Sequence, residues 1–256
     1  MERRALLSFI LFITENDLHG DISLKNARNK HVAAIILAAG KSLRFGDNIE
    51  KIKVKICGDT VLCHTVAAFE KADTISSIVI VAKDQDIDFV KENTSRFGKV
   101  EKVVSGGDSR AESARLGFFA VDEEAAFVAI HDAARCLVTP DMIDETVRAA
   151  FAHGAASLAN KVYDTVKKTD ADGKISSTVP REALLLAATP QVFSRDLYSD
   201  ALDKNSGLDD ITDDNSLLER IGVKIFPVIT DIPNLKITTK EDIGYCEYIL
   251  SERRRK

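Results

Sequence analysis

The chain has 256 residues, of which 45% are hydrophobic, and a formal net charge of −5. A chain of this length can bury one sizeable core, so a single domain is expected. Lysine and arginine are spread along the sequence, which argues against a nucleic-acid groove or a basic membrane-binding face. The four cysteines form no C-x-x-C pair. This favours a reduced, cytoplasmic protein without a zinc site or a disulfide framework.

The first thirty residues are set apart from the rest by their pattern. An apolar run over residues 5–13 follows two arginines, as in a signal peptide, but residues 14–17 are polar and no small-x-small cleavage site follows. The run is also too short to span a bilayer. We therefore predict an extension over residues 1–30 and one domain over residues 31–256.

From His31 onward, β-favouring runs alternate with helical periodicity. Strands are predicted at 32–37, 75–82, 100–104 and 126–130, and helices at 60–72, 86–97, 112–121 and from 139 to the glycine at 154. Such alternation is typical of βαβ units. We predict an α/β fold with a Rossmann-like, mainly parallel sheet and helices on both faces.

The alternation breaks after residue 155. Two β-favouring stretches, 162–169 and 175–179, are joined through Asp172-Gly173 and indicate a hairpin. The hairpin carries few large apolar residues, so it either projects and packs on a second subunit or lies solvated on the surface. Beyond it we predict helices from Ser194 and over 213–221, strands over 224–229 and 235–238, and a last helix capped by Thr239 with Asp242 at the capping-box position.

Small or polar residues and an arginine follow three of the predicted parallel strands. These segments are residues 38–46, 105–113 and 131–135. The carboxyl ends of parallel strands meet at one edge of a sheet, where open α/β folds hold their ligands. Asp132 could take Mg²⁺, and Arg135 could grip a phosphate. The concurrence predicts a site for a phosphate-bearing nucleotide.

Each segment also has a plainer interpretation as a basic surface loop, a glycine-rich turn or a helix cap. Gly40-Lys41-Ser42 imitates the end of a Walker A motif, but Ile35 stands where that motif needs a glycine. A G-x-G-x-x-G pattern is also absent from the sequence. The nucleotide interpretation therefore depends on the three segments together.

Seven short segments, in order, resemble the 2-C-methyl-D-erythritol 4-phosphate cytidylyltransferase family over about residues 31–252. They are Leu37-Ala38-Ala39-Gly40, Gly106-Gly107-Asp108-Ser109-Arg110, His131-Asp132-Ala133-Ala134-Arg135, Asp164-Thr165, Thr189-Pro190-Gln191, Thr212-Asp213-Asp214 and Asn234-Leu235-Lys236-Ile237-Thr238. The resemblance implies transfer of a cytidylyl group from CTP to methylerythritol phosphate, with release of pyrophosphate, in the non-mevalonate isoprenoid pathway. It also implies a β-arm at about residues 160–180 that interlocks with its copy in a homodimer.

The resemblance further implies residue roles. Arg44 and Lys51 would stabilise the transition state, Arg181 and Lys236 would position the sugar phosphate, and Asp132 would hold Mg²⁺ or another divalent cation. The implied substrate-binding residues are Ala38, Ala39, Gly40, Gly107, Asp108, Arg110, Ser113, Ala133, Arg135, Asp164, Thr165 and Thr189. An ungapped count from Gly40 selects Lys51, although Lys53 or Lys55 could take its place.

Several residues depart from the family pattern, and other functions stay open. The departures are Ser42, Glu50, Ile52, Cys136 and Thr230. One rival is a cytidylyltransferase acting on ribitol 5-phosphate, against which Ala134 speaks, and another is a sugar nucleotidyltransferase that takes UTP or another base. A third is a nucleotide-binding protein without turnover, which only the altered loop around Ser42 and Glu50 supports.

Overall fold

The computed structural model describes residues 31–40, 50–205, 207 and 211–255. The predicted extension over residues 1–30 and the predicted catalytic Arg44 lie outside these ranges. The described strands are β1 (Val32–Leu37), β2 (Lys55–Ile56), β3 (Asp59–Thr60), β4 (Ser77–Ala82), β5 (Val100–Ser105), β6 (Phe127–Asp132), β7 (Ala155–Lys161), β8 (Val166–Thr169), β9 (Ile175–Val179), β10 (Leu185–Ser194) and β11 (Phe226–Ile229). The described helices are α1 (Val61–Lys71), α2 (Ile87–Thr94), α3 (Arg110–Ala120), α4 (Pro140–His153), α5 (Arg195–Lys204), α6 (Asp214–Glu219) and α7 (Glu241–Arg255).

A seven-stranded sheet in the order β11-β7-β10-β6-β1-β4-β5 forms the centre of the fold. Strands β6, β1, β4 and β5 pair in parallel, and Leu37 at the end of β1 lies beside Asp132 and Val81. Strand β10 is antiparallel to both of its neighbours. The predicted mainly parallel sheet is therefore confirmed. Strands β7 and β10, which the sequence analysis did not assign, make it mixed.

Helices cover both faces of the sheet, as predicted. Side chains alternate along β1, so that Ile36 packs with α1 and α4 while Ile35 packs with α3 and α5. All six residues of β1, β4 and β6 are buried, which explains their near-continuous apolar sequences. A third cluster packs α7 against the segment that follows β6.

Local signals at the helix ends were read correctly. Helix α4 starts after Thr139, whose side chain accepts the N–H of Met142, has Pro140 in its first turn, and ends at Gly154 with φ +81°. At α7, the Asp242 carboxylate reaches back to the N–H groups of Thr238 and Thr239 at 2.7 and 2.8 Å.

The predicted hairpin is present as β8 and β9, which form a separate two-stranded sheet. Its turn holds Gly173 at φ +77°. Between residues 161 and 183 only Val162, Val166 and Val179 are half-buried, and all the other residues are exposed. About twenty residues thus form a segment that contributes nothing to the main core.

The predicted strand over residues 235–238 is wrong. This segment is extended but joins no ladder. It is fixed instead by single contacts, such as Ile237 N–H to the Ala134 carbonyl at 2.9 Å and Asn234 Nδ2 to the Thr189 carbonyl at 2.8 Å. Asn234 and Ile237, three positions apart, are its buried residues, and the segment crosses the carboxyl edge of the sheet rather than extending it.

Within the described ranges, the model has no helix that is both long and apolar enough to cross a membrane.

Candidate active site

A cavity of about 350 Å³ opens at the carboxyl edge of β1, β4, β5 and β6. It lies where the sequence analysis placed the ligand, because the segments after three of these strands converge there. The described residues that line it are Leu37, Ala38, Ala39, Gly40, Glu50, Lys51, Ile52, Lys83, Asp86, Gly107, Asp108, Ser109, Arg110, Ser113, Asp132, Ala134, Lys236 and Thr238. Ten of the predicted site residues are in this set.

The two small-residue turns lie against each other at one side of the cavity. A Cβ added at Gly106 would lie 2.4 Å from the Ala39 Cβ, so only glycine permits this approach. The buried Ser113 hydroxyl accepts the N–H of Gly107 at 3.1 Å and donates to the Ser109 carbonyl at 2.9 Å. Ser109 in turn caps α3 by accepting the N–H of Glu112. The turns therefore form a fixed wall of backbone groups against which a nucleotide could lie.

Asp132 is the electrostatic centre of the cavity. Its Oδ1 lies 3.2 Å from Arg110 Nε, and its Oδ2 lies 2.9 Å from Lys236 Nζ and 3.4 Å from Arg135 Nε. Burial alone would raise the pKa of the Asp132 carboxyl, but Arg110, Lys236 and Arg135 lower it well below its usual range. Three cations thus surround one ionised carboxylate, and even with Asp214, which also pairs with Arg110, the group keeps one positive charge in excess, which suits phosphates.

Arg110 is held from its far side by a buried acid. Its Nη1 donates to Asp214 Oδ2 at 2.7 Å, and the Tyr198 hydroxyl donates to Asp214 Oδ1 at 2.8 Å. Burial and the Asp214 carboxylate raise the pKa of Tyr198 well above its usual range, so the hydroxyl keeps its proton. The sequence analysis quoted Asp214 within a motif but assigned it no role, and it did not single out Tyr198. Nothing in the local pattern links Asp214 to Arg110, which lies 104 positions away.

His131 and Thr189 lie beneath Asp132. The Thr189 hydroxyl accepts the Asp132 N–H at 3.2 Å and lies 2.9 Å from His131 Nδ1. Complete burial lowers the pKa of His131 to about 3, so the imidazole is neutral near pH 7. Thr189 and Ala133 are buried outside the described cavity lining. They support the backbone that carries Asp132.

Lys51 reaches the cavity from a single 3-10 turn, Lys51–Lys53. Lys51 lines the cavity, Ile52 also contributes to the core with 5% exposure, and Lys53 forms an ion pair with Asp86 at 2.6 Å. Lys55 is exposed on β2. Of the three lysines that the sequence left open, only Lys51 is among the described lining residues.

The predicted arm residues lie elsewhere. Asp164, Thr165 and Arg181 are exposed and are not among the described residues that line the cavity. Arg181 donates to the Tyr163 carbonyl, and the Tyr163 hydroxyl donates to Asp231 at 2.8 Å. Arg135 also stays outside the described lining, with its Nη1 on the Asn234 carbonyl at 2.9 Å. One chain therefore does not bring all the predicted residues together.

Two described lining residues, Lys83 and Asp86, were missed from the sequence, and Ser109 and Thr238 lie in segments that were quoted without a role for them. Lys83 follows β4 directly, so the edge rule that located the other segments could have found it. Asp86 sits in a turn that the sequence analysis interpreted only as the start of a helix.

The donor groups at the cavity suit a divalent cation only if a substrate supplies further oxygens. The described residues contain no group of three or more His, Cys, Asp or Glu side chains that could hold a metal. Mg²⁺, however, is commonly bound through one or two carboxylates together with substrate phosphates. An ionised carboxylate has about four lone-pair sites, and three of those of Asp132 face the cationic side chains of Arg110, Arg135 and Lys236. The residues therefore fit a divalent cation that is shared with a nucleotide.

Comparison with solved structures places this fold among known enzymes. The 4-diphosphocytidyl-2C-methyl-D-erythritol synthase of Anaerococcus prevotii superposes with a TM-score of 0.77 and 28% identity, covering 87% of this chain and 96% of that one. A second synthase of the same name gives a TM-score of 0.73 and 31% identity, covering 87% and 99%. The fold and the phosphate-suited cavity thus define an α/β nucleotidyltransferase.

Sequence comparison defines the family. The family model for 2-C-methyl-D-erythritol 4-phosphate cytidylyltransferase matches residues 32–252. The enzyme of that name from Caldanaerobacter subterraneus subsp. tengcongensis is 37% identical over 224 residues, which cover 86% of this chain and 99% of the relative. The one from Alkaliphilus oremlandii is 34% identical, covering 87% and 96%. The chain belongs to the 2-C-methyl-D-erythritol 4-phosphate cytidylyltransferase family.

Proposed function

We propose that this protein transfers the cytidylyl group of CTP to 2-C-methyl-D-erythritol 4-phosphate, which gives the CDP-linked sugar alcohol and pyrophosphate for isoprenoid synthesis. The observation that supports it most is the Asp132 centre, where Arg110, Arg135 and Lys236 surround one carboxylate beside two small-residue turns. Both substrates are anionic, and this surplus of positive charge offsets their mutual repulsion. Family membership supports the identity of the substrates.

In the proposed reaction, an oxygen of the sugar phosphate attacks the α-phosphorus of CTP in line. The bond from that phosphorus to the β-phosphate oxygen breaks, and pyrophosphate leaves with the electron pair. Such a step needs little proton transfer, so positioning and charge stabilisation carry the catalysis. The buried neutral His131 fits this account, because no side-chain base is required.

The lining residues suggest a division of work. The turn at Ala38, Ala39 and Gly40 would hold the triphosphate through its N–H groups. Gly107, Asp108 and Ser113 would contact the cytosine and ribose. Lys51, with Arg44 from outside the described ranges, would offset charge that develops on the α-phosphoryl oxygens. Lys236, 2.9 Å from Asp132, would hold the attacking phosphate.

Mg²⁺ would be held by Asp132 together with oxygens of the CTP phosphates. When bound, it would neutralise charge on the triphosphate and help the pyrophosphate leave. Arg110, itself held by Asp214, would keep the Asp132 carboxylate ionised and directed at this place.

The sugar-phosphate half of the site would be completed by a second copy. Asp164, Thr165 and Arg181 are exposed on or beside an arm that packs on little of its own chain. A homodimer in which each arm reaches the other cavity would bring them to the polyol. We also assign the enzyme to the cytoplasm, because all four cysteines are free thiols, as in proteins of reducing compartments.

The test is pyrophosphate release with Mg²⁺, crossing CTP, UTP and ATP with methylerythritol 4-phosphate and ribitol 5-phosphate. We expect turnover with CTP and methylerythritol phosphate alone, and its loss in Lys51→Ala. Turnover with ribitol phosphate would move the assignment to that substrate. CTP binding without turnover in any combination would contradict the proposal and indicate a nucleotide-binding protein.

A further inference from the structure

The turn that carries Lys51 is attached at both ends to one neighbouring segment. At its start, the Glu50 carboxylate accepts from Gln85 Nε2 at 3.1 Å. At its end, Lys53 Nζ lies 2.6 Å from Asp86 Oδ1, and the same ammonium pairs with Glu50. Gln85 and Asp86 belong to the 3-10 turn Asp84–Asp86, which comes shortly after β4. We name these four side chains, Glu50, Lys53, Gln85 and Asp86, the charged clamp.

The charged clamp is built on a rigid part of the molecule. The Asp86 side chain is 2% exposed, and β4 is buried along its whole length. The Lys53 ammonium also lies 5.0 Å from the centroid of the Phe89 ring on α2. A partly shielded pair of this kind restricts geometry more than a pair between two mobile surface side chains. Asp86 therefore provides a fixed anchor beside the cavity.

The backbone at the start of the turn is held by one hydrogen bond, from the Lys53 N–H to the Glu50 carbonyl at 2.8 Å. Glu50 has φ −84° and ψ 100° and no side-chain cap bond, and its φ is not locked as that of a proline would be. Ile52 anchors the middle of the turn in the core. The charged clamp holds both ends of the turn and so contributes to the direction of Lys51.

We propose that Lys53 and Asp86 are positioning residues that, with Glu50 and Gln85, fix the turn so that Lys51 faces the nucleotide cavity. This inference rests on the proposed function, since it acts through Lys51. It also gives Glu50 a role: the anion next to Lys51 is neutralised by Lys53 within the charged clamp, rather than opposing the triphosphate.

The test is a double-mutant cycle on kcat. Lys53→Met and Asp86→Asn should each lower kcat by about 10- to 100-fold, the range that a small misplacement of a catalytic group produces, with a smaller change in KM for CTP. The double variant should lose no more than the worse single variant, because both break one pair. Lys53→Arg should retain most of the activity. Lys55→Met, exposed on the adjacent strand, is the control and should behave as wild type.

A second cycle separates positioning from direct action. In a Lys51→Ala background, Lys53→Met should cause no further loss of kcat. The proposal would be overturned if Lys53→Met lowered kcat in that background by as much as it does in the wild-type protein. Additive losses of kcat in the first cycle, or a normal kcat in both single variants, would overturn it as well. Thermal unfolding midpoints close to wild type show that the variants fold. Failure of the proposed function is distinguishable, since it would appear as the absence of turnover in the wild-type protein, whereas normal turnover in Lys51→Ala would show only that Lys51 is not catalytic.

Discussion

The cavity edge of the sheet and the β8–β9 arm differ in almost every physical respect. At the edge, Asp132 is 6% exposed. The parallel strands that end there, β6, β1, β4 and β5, are hydrogen-bonded to one another within the seven-stranded sheet. On the arm, nearly all side chains are exposed, and the two strands pair only with each other. Yet the family resemblance assigns substrate-binding residues to both regions.

The difference shows which half of the site one chain can build. The edge residues are held by the protein's own core, so the nucleotide half is formed within the chain. The arm residues lack such support and lie away from the described cavity lining. A short two-stranded hairpin is marginally stable by itself, so an arm of this kind gains order by packing on something else. A second copy is the partner that the proposed function requires.

The largest expected effect comes from mixing two inactive variants. Lys51→Ala damages the edge and Arg181→Ala damages the arm, and each should lose at least about 100-fold in activity. If arms serve the partner's cavity, a mixed dimer has one cavity with both an intact edge and an intact arm. Random exchange should then restore about one quarter of wild-type activity, since half the dimers are mixed and half their sites are intact.

In the control, the two variants are combined immediately before the assay, so that their subunits have no time to exchange. Restored activity should appear only after the subunits have been dissociated and reassociated. Failure to restore activity after verified exchange would show that each arm serves its own chain. Mass analysis that finds only monomers would remove the dimer from the proposal.

The next effect compares the stability of the two regions. Asp214→Asn removes the buried charge that pairs with Arg110 at 2.7 Å. The Arg110 guanidinium then keeps only its longer contact with Asp132, at 3.2 Å. Because breaking a buried ion pair is strongly destabilising, we expect the free energy of unfolding to fall by about 3 kcal/mol. Arg181→Ala on the arm should change it by less than about 0.5 kcal/mol, as surface substitutions do. Urea unfolding of both variants gives the comparison.

Asp200→Asn is the matched control for that pair. Asp200 pairs with Lys204 on α5 at 3.0 Å, but both side chains are about 60% exposed. Its loss should cost well under about 1 kcal/mol. Equal losses for Asp214→Asn and Asp200→Asn would mean that the Arg110–Asp214 contact does not hold the cavity edge together.

Local and edge-located features were predictable from the sequence. The apolar run before His131, the glycine pair at Gly106 and the proline at residue 140 each fix their own surroundings through burial, close approach or capping. Since parallel strands end at one edge, these local signals also located the cavity. The resemblance added which cations to examine there.

Features that depend on distant contacts were not predictable. The segment at residues 235–238 was predicted as a strand, but only Ile237 in it is buried, and the backbone N–H of Ile237 bonds to a single group on another segment, the Ala134 carbonyl. Strands β7 and β10 were missed because small residues such as Ala155 and Ala187 carry little strand signal. The Arg110–Asp214–Tyr198 contacts connect three separate segments, and the charged clamp joins two turns that sequence spacing does not relate.

The smallest effect tests how completely the cavity edge excludes water. His131 has its pKa lowered to about 3 by burial, whereas in the unfolded chain a histidine titrates near 6.5. Between these values the unfolded state binds one more proton, so the free energy of unfolding falls as the pH falls, by up to about 1.4 kcal/mol per pH unit. Urea unfolding at pH 6.5, 5.5 and 4.5 should show this slope reduced in His131→Asn. Equal slopes in wild type and His131→Asn would mean that this histidine is protonated in the folded protein, and the edge beneath Asp132 would then be open to water.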